Sequence, residues 1–115
     1  MTGRLAPGDP VWLVLTTCPD VETARAIARA LVEERLAACG NVLPGVTSVY
    51  WWRETIESAE ECLVLLKTRG DRLETLAERL KTLHPYDVPE LLALPVARGA
   101  PDYLRWVVEE TKAAP

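Results

Sequence analysis

One histidine occurs in the 115 residues, and it lies in His84-Pro85-Tyr86-Asp87-Val88-Pro89-Glu90. Imidazole is the side chain that titrates near neutrality and the commonest nitrogen ligand of metals. Two carboxylates, Asp87 and Glu90, and the phenol of Tyr86 lie within six residues of it. The three cysteines, Cys18, Cys39 and Cys62, are the other side chains able to bind a soft metal or act as nucleophiles. Thiolate with imidazole suits copper and zinc. The cysteines are odd in number and widely spaced, which argues against a disulfide framework. No CxxC or CxxxxC is present, which argues against a self-contained structural zinc site.

Elements that would position these groups follow from periodicity. Val11 to Thr17 reads as a strand, stopped by Pro19. Asp20 is a good N-cap, with Glu22 in the first turn. Val21, Ala24, Ile27, Ala28, Leu31, Val32 and Leu36 then recur at helical spacing, predicting a helix over about 20–37. Cys39 to Leu43 is extended, Pro44-Gly45 reads as a bulge or edge bend, and Val46 to Arg53 continues the strand. Residues 54–58 read as a turn. A third strand runs from Ala59 or Glu60 to Thr68. Gly70-Asp71 opens a second helix, with Asp71 and Glu74 at capping-box spacing and Leu73, Leu76, Ala77, Leu80 and Leu83 as its buried stripe. Leu91 to Val96 is a fourth strand. Pro101 starts a third helix, about 101–112, that uses Leu104, Val107 and Val108 as its apolar face.

The order β-α-β-β-α-β plus a C-terminal helix predicts an α+β, ferredoxin-like split βαβ sandwich with an antiparallel sheet ordered 4-1-3-2. Residues 1–10 are expected to be a loose leader and 11–115 a single domain. A net charge of −4 offers no basic face for nucleic acid. Ten arginines and three lysines alternate with acids along the helices. No apolar stretch of about 7–15 residues marks an N-terminal signal, and none reaches the ~20 residues of a membrane span. A cytoplasmic location is expected, without membrane or nucleic-acid partners.

The central strands carry a further message. The first offers Val11, Leu13 and Leu15 to one face and Trp12 and Val14 to the other; the third offers Leu63 and Leu65 against Cys62, Val64 and Leu66. A ferredoxin-like sheet has helices on one face only, and a wet face normally alternates with polar residues. The last helix can cover part of the second face. Self-association covers it more completely. Tyr50-Trp51-Trp52 places aromatics on both faces of the second strand.

Several motifs in this order resemble the CutA divalent-cation-tolerance family. They are residues 28–39 (ARALVEERLAAC), residues 40–48 (GNVLPGVTS), Tyr50-Trp51-Trp52, Leu66-Lys67-Thr68, the segment from His84 to Glu90, and Leu94-Pro95-Val96. The resemblance runs from about Val11 to Lys112. It implies the ferredoxin-like fold, a compact homotrimer, binding of copper or another divalent metal ion, and a link to metal tolerance. It also points to His84 and Cys39 as family positions. Some relatives carry a cysteine two residues before Cys18, where this chain has Thr16, and a second histidine where it has Leu83. Two residues along a strand are about 6–7 Å, the shift needed for Cys18 to stand in for that thiol.

The inferred topology puts Cys18 and His84 at one end of the subunit and Cys39 at the other. The expected metal residues are therefore His84 and Cys18, with Cys39 as a third candidate. Asp87 and Glu90 could add ligands or anchor the loop. His84 also suits a helix C-terminal cap, and Cys62, inside an apolar run, suits the core. No nucleophile elbow, phosphate loop or HExxH motif is present, so no enzymatic activity is expected. A different class of function fits the same chain: a trimeric signalling module that binds a nucleotide or small anion at subunit clefts lined by Arg53, Lys67 or Arg98. Trimer burial, the nine prolines and the Arg- and Glu-rich helix faces predict unusual thermal stability.

Overall fold

A computed structural model describes residues 10–112; residues 1–9 of the expected leader lie outside the described residues. The elements are β1 (Val11–Cys18), α1 (Val21–Glu33), β2 (Cys39–Trp52), β3 (Thr55–Arg69), α2 (Leu73–Leu83), β4 (Leu92–Pro95) and α3 (Pro101–Glu110), with one 3₁₀ turn at Gly70–Arg72. All strand pairs are antiparallel, and the sheet order is β2-β3-β1-β4. This is the split βαβ topology expected from the periodicity.

Helix α1 starts where a cap residue meets an apolar stripe. The Asp20 carboxylate accepts the Thr23 backbone N–H at 2.7 Å. Ala24, Ile27, Ala28 and Leu31 face the sheet. Helix α2 adds Leu76 and Leu80 to the same layer. They pack on Val14, Cys18, Cys62, Val64 and Leu66, which alternate along the two central strands. Gly40 lets α1 approach closely: a Cβ there would lie 3.1 Å from both the Ala28 Cβ and a Leu66 methyl.

The N–H from Thr23 holds the Asp20 carboxyl below the usual carboxylate range. A lowered folded-state pKa stabilises above the unfolded value and ceases to do so as pH falls through the folded one. Melting followed into acid should therefore show Asp20→Asn, which keeps the cap, losing less stability than the wild type. Equal losses would show that Asp20 adds nothing to the acid sensitivity.

Five local expectations are corrected. The first helix ends at Glu33 rather than near residue 37, because Arg35 turns into the left-handed region at φ 61°. The Leu36 and Ala37 N–H groups then both donate to the Leu31 carbonyl, and Leu36 folds back as a buried anchor. Between the second and third strands, the turn shrinks to Arg53-Glu54, both at positive φ, so β3 begins at Thr55 rather than at Ala59 or Glu60. The pattern that suits a two-residue hairpin turn is thus made without the Asn or Gly that usually announces it. The Asp71–Glu74 capping box does not form. Asp71 instead takes two hydrogen bonds from the Arg69 guanidinium, and the 3₁₀ turn precedes the helix. The fourth strand and third helix are shorter by one or two residues at their ends.

The Pro44-Gly45 interruption is a bulge, as expected. The β2–β3 register shifts between Leu43 and Val46, and Gly45 has φ 75°, a conformation that favours glycine.

Helix α3 lies across one end of the second sheet face. Val107, Val11 and Ala38 form a small core there with Val96, Leu104 and Val108. The rest of that face stays open. Register places Leu13 beside Leu94, Leu15 beside Leu92 and Leu65, and Leu63 beside Leu43. Of these, Leu43, Leu92 and Leu94 are 40–55% exposed. The Tyr50-Trp51-Trp52 run stands out on the far arm of the β2–β3 hairpin, with Trp51 70% exposed and the Arg53 guanidinium 5.3 Å over the Trp52 ring.

Candidate functional site

The C-terminal end of β1 is where the chemistry-bearing residues meet. Strand β4 pairs with β1 only from Trp12 to Leu15, so the last residues of β1 have β3 on one side and no strand on the other. His84, the residue that ends α2, fills that gap. Its backbone N–H still closes the helix on the Leu80 carbonyl. Its phi and psi are already extended, as a residue before proline requires. That exit turns the buried ring towards β1.

Both ring nitrogens are engaged. The Tyr86 backbone N–H donates to Nδ1 at 3.1 Å. This leaves the ring proton on Nε2, which lies 2.8 Å from the Thr17 carbonyl oxygen and donates to it. The imidazole thus supplies Thr17 with the donor that a longer β4 would have supplied. Cys18 Sγ sits 3.8 Å from the same Nε2. Burial, aided by Cys62, Asp20 and Glu61, pushes the Cys18 thiol up to about 11, so it rests protonated.

The loop after His84 is pinned by a group that the sequence did not single out. The Tyr86 hydroxyl donates to Glu61 Oε2 at 2.7 Å, and the Tyr86 ring stacks obliquely on His84 at 4.8 Å. Burial and the Glu61 carboxylate both hold the phenol proton on, above the ordinary tyrosine value. Glu61 is 9% exposed and lies just past the last β1–β3 pair. An acid beside an apolar run looks like an ordinary strand end; only its burial reveals a role.

The other named residues are placed as follows. Asp87 and Glu90 are exposed. Cys62 is buried in the core, directly opposite Cys18. Thr16 is fully buried, and its hydroxyl has no hydrogen-bond partner. Cys39 lies at the opposite end of the sheet, on its open face, half-buried beside Lys67. The Lys67 ammonium lies 3.8 Å from Cys39 Sγ and donates to Asn41 Oδ1. Tyr103 of α3 reaches the same thiol; burial, with Cys39 adding, raises its phenol pKa. The structure therefore brings Cys18 and His84 together and leaves Cys39 apart. Arg53 and Lys67 are fourteen residues apart along extended chain, roughly 45 Å, so they line no common cleft within one subunit.

Among the described residues no group of three or more His, Cys, Asp and Glu is arranged to hold a metal ion. Cys18 and His84 offer one soft sulfur donor and one imidazole nitrogen, both types that copper accepts, with the Thr17 carbonyl adjacent. Their use would require thiol deprotonation and release of the Nε2 hydrogen bond.

Residues 12–110 match the family model described as CutA1 divalent ion tolerance protein. The chain belongs to this family. It is 52% identical over 99 residues to the divalent-cation tolerance protein CutA of Thermus thermophilus, covering 86% of this chain and 96% of that one. The crystal structure from that organism superposes with a TM-score of 0.87 at 51% identity, over 89% of this chain and 99% of that chain. The CutA1 structure of Oryza sativa gives 0.88 at 37% identity, over 98% and 100%. The mouse protein CutA is 45% identical over 107 residues, 93% of this chain but only 60% of its own length. The CutA1 family thus accounts for the fold and for the motif blocks from α1 to β4. The Thermus thermophilus relative is named for divalent-cation tolerance, and none of these names states a reaction. No helix among the described residues is long and apolar enough to cross a membrane.

Proposed function

We propose that the protein is a non-enzymatic, homotrimeric binder of copper-type divalent cations, acting in metal-ion tolerance in the cytoplasm. The observation that carries the metal reading is the 3.8 Å approach of Cys18 Sγ to His84 Nε2 in a chain of a divalent ion tolerance family. The separation suits a thiolate and an imidazole sharing one ion at Zn-type bond lengths of about 2.3 and 2.0–2.1 Å with an open angle. Cys39, with its half-buried thiol, is the next candidate ligand. The trimer reading rests on the open leucine face, which is too apolar to remain in water.

Titration calorimetry with copper tests the site. His84→Ala and Cys18→Ser should each weaken binding about tenfold or more, whereas Cys62→Ser should leave it unchanged. Unaltered binding in both of the first two variants would move the site to Cys39 or remove the metal role. The other reading, a trimeric module binding a nucleotide or small anion at subunit clefts, has one observation in its favour. Lys67 is half-buried, with its ammonium on the Asn41 side-chain oxygen and beside the Cys39 sulfur.

A further inference from the structure

Cys62 has no part in the proposed metal site, yet it lies where it matters. Cys18 and Cys62 are directly opposed in the antiparallel β1–β3 register. Both belong to the helix-covered core, at 0% and 3% exposure, and both are free thiols. Opposed residues of such a pair hold their Cβ atoms about 4.5–5.5 Å apart. A disulfide spans about 3.5–4.5 Å between Cβ atoms. Closing the pair therefore asks for a movement on the order of 1 Å.

The sheet is least constrained at this point. Cys18 ends β1, beyond the last residue paired with β4. Cys62 lies between Leu63 and Glu61, facing the Pro44-Gly45 bulge where the β2–β3 register shifts. Each strand thus lacks regular pairing on its outer side. The His84–Glu90 loop forms the lid over this end, held by the His84–Thr17 and Tyr86–Glu61 contacts. Its opening would admit a small oxidant.

We propose that Cys18 and Cys62 are a reversible redox pair, oxidised by peroxide-class oxidants to a cross-strand disulfide between β1 and β3. One thiol gives up its proton as the loop opens to water, and its thiolate attacks the peroxide oxygen, giving a sulfenic acid and a hydroxide that takes that proton to become water. The second sulfur displaces that hydroxyl, forming the S–S bond and a second water. Both thiol hydrogens leave in the waters, and the peroxide O–O bond accepts the two electrons. A bond closed against the resting strand spacing is strained, and strained disulfides are the readily reduced, regulatory kind. Oxidation would also take the Cys18 sulfur out of reach as a metal-binding thiolate. The inference stands on strand geometry and holds whether or not copper binds.

Cys39 is the built-in reference. It pairs in register with Lys67, five residues along β3 from Cys62 and about 17 Å away. The whole chain, metal-free, would be treated with hydrogen peroxide, denatured, alkylated and digested with trypsin. Peptides 5–25 and 54–67 should appear linked, with Cys39 alkylated in peptide 36–53. Dithiothreitol should release the link and restore three alkylatable thiols. In Cys62→Ala the link should vanish and Cys18 should stay free of any disulfide. Three unlinked thiols after peroxide, or peptide 5–25 linked to 36–53, would overturn the proposal. The wild-type peptide map decides this even if the variant fails to fold.

Discussion

Leu65→Glu should turn the assembly from three chains into one. Sedimentation of the wild type should report about three times 12.8 kDa, and that of the variant a single chain. Leu65 sits near the middle of the open face, opposite Leu15 on β1 and beside Asn41 on β2. Burying a leucine is worth roughly 1.5–3 kcal/mol, and a trimer buries three copies of the patch. Glutamate forfeits that term and adds an unpaired charge in an apolar contact, costing several kcal/mol more. The substitution leaves the helix-packed core untouched, since Leu65 is not part of it and its neighbours Val64 and Leu66 are the residues that face that layer. The subunit should therefore stay folded while the assembly fails. The wild type should melt above the ordinary range of roughly 45–65 °C. The variant should fall back into that range and become independent of concentration. A trimeric Leu65→Glu would place the interface elsewhere, and a monomeric wild type would remove it altogether.

His84→Ala should destabilise the subunit strongly, apart from any metal. Truncation leaves the Thr17 carbonyl and the Tyr86 N–H without the ring that satisfies them. Each buried orphan costs about 1–3 kcal/mol, and the lost ring packing on Tyr86 adds to this. Denaturant unfolding should show a loss of roughly 2–5 kcal/mol. His84→Gln separates structure from metal binding. Its amide can donate towards Thr17, so stability should return in part, yet a neutral amide is a poor ligand for copper. Recovery of stability without recovery of copper binding is the expected outcome. If glutamine restored both, an amide would suffice and the imidazole would have no ligand role.

The topology was legible because two periods dominate this chain. Apolar residues three and four apart in α1 and α2, and alternating ones in β1 and β3, leave one way to stack the layers. The same reasoning placed Cys18 near His84, since chain direction alone puts the end of β1 beside the end of α2. It failed at the local ends. Arg35 and Arg53-Glu54 take positive φ without glycine or asparagine, because tertiary packing of Leu36 and the long hairpin pairing outweigh the local preference. Asp71 abandons a capping box for Arg69, which a one-dimensional spacing cannot foresee.

By itself the sequence determined the fold class, the family, the two-faced central strands and the meeting of Cys18 with His84. Periodicity and strand direction, properties of the chain alone, carry the fold class and the placement of Cys18 near His84, while the resemblance of its motifs carries the family. Only the tertiary structure decided what the meeting residues do. It showed that β4 stops short, so that the imidazole completes the sheet edge at Thr17. It buried Glu61 under Tyr86 and set Cys62 across from Cys18 at a bulge. Each of these depends on which strand ends where and on what then fills the space, and a hydrogen bond spanning 67 positions of sequence leaves no local trace.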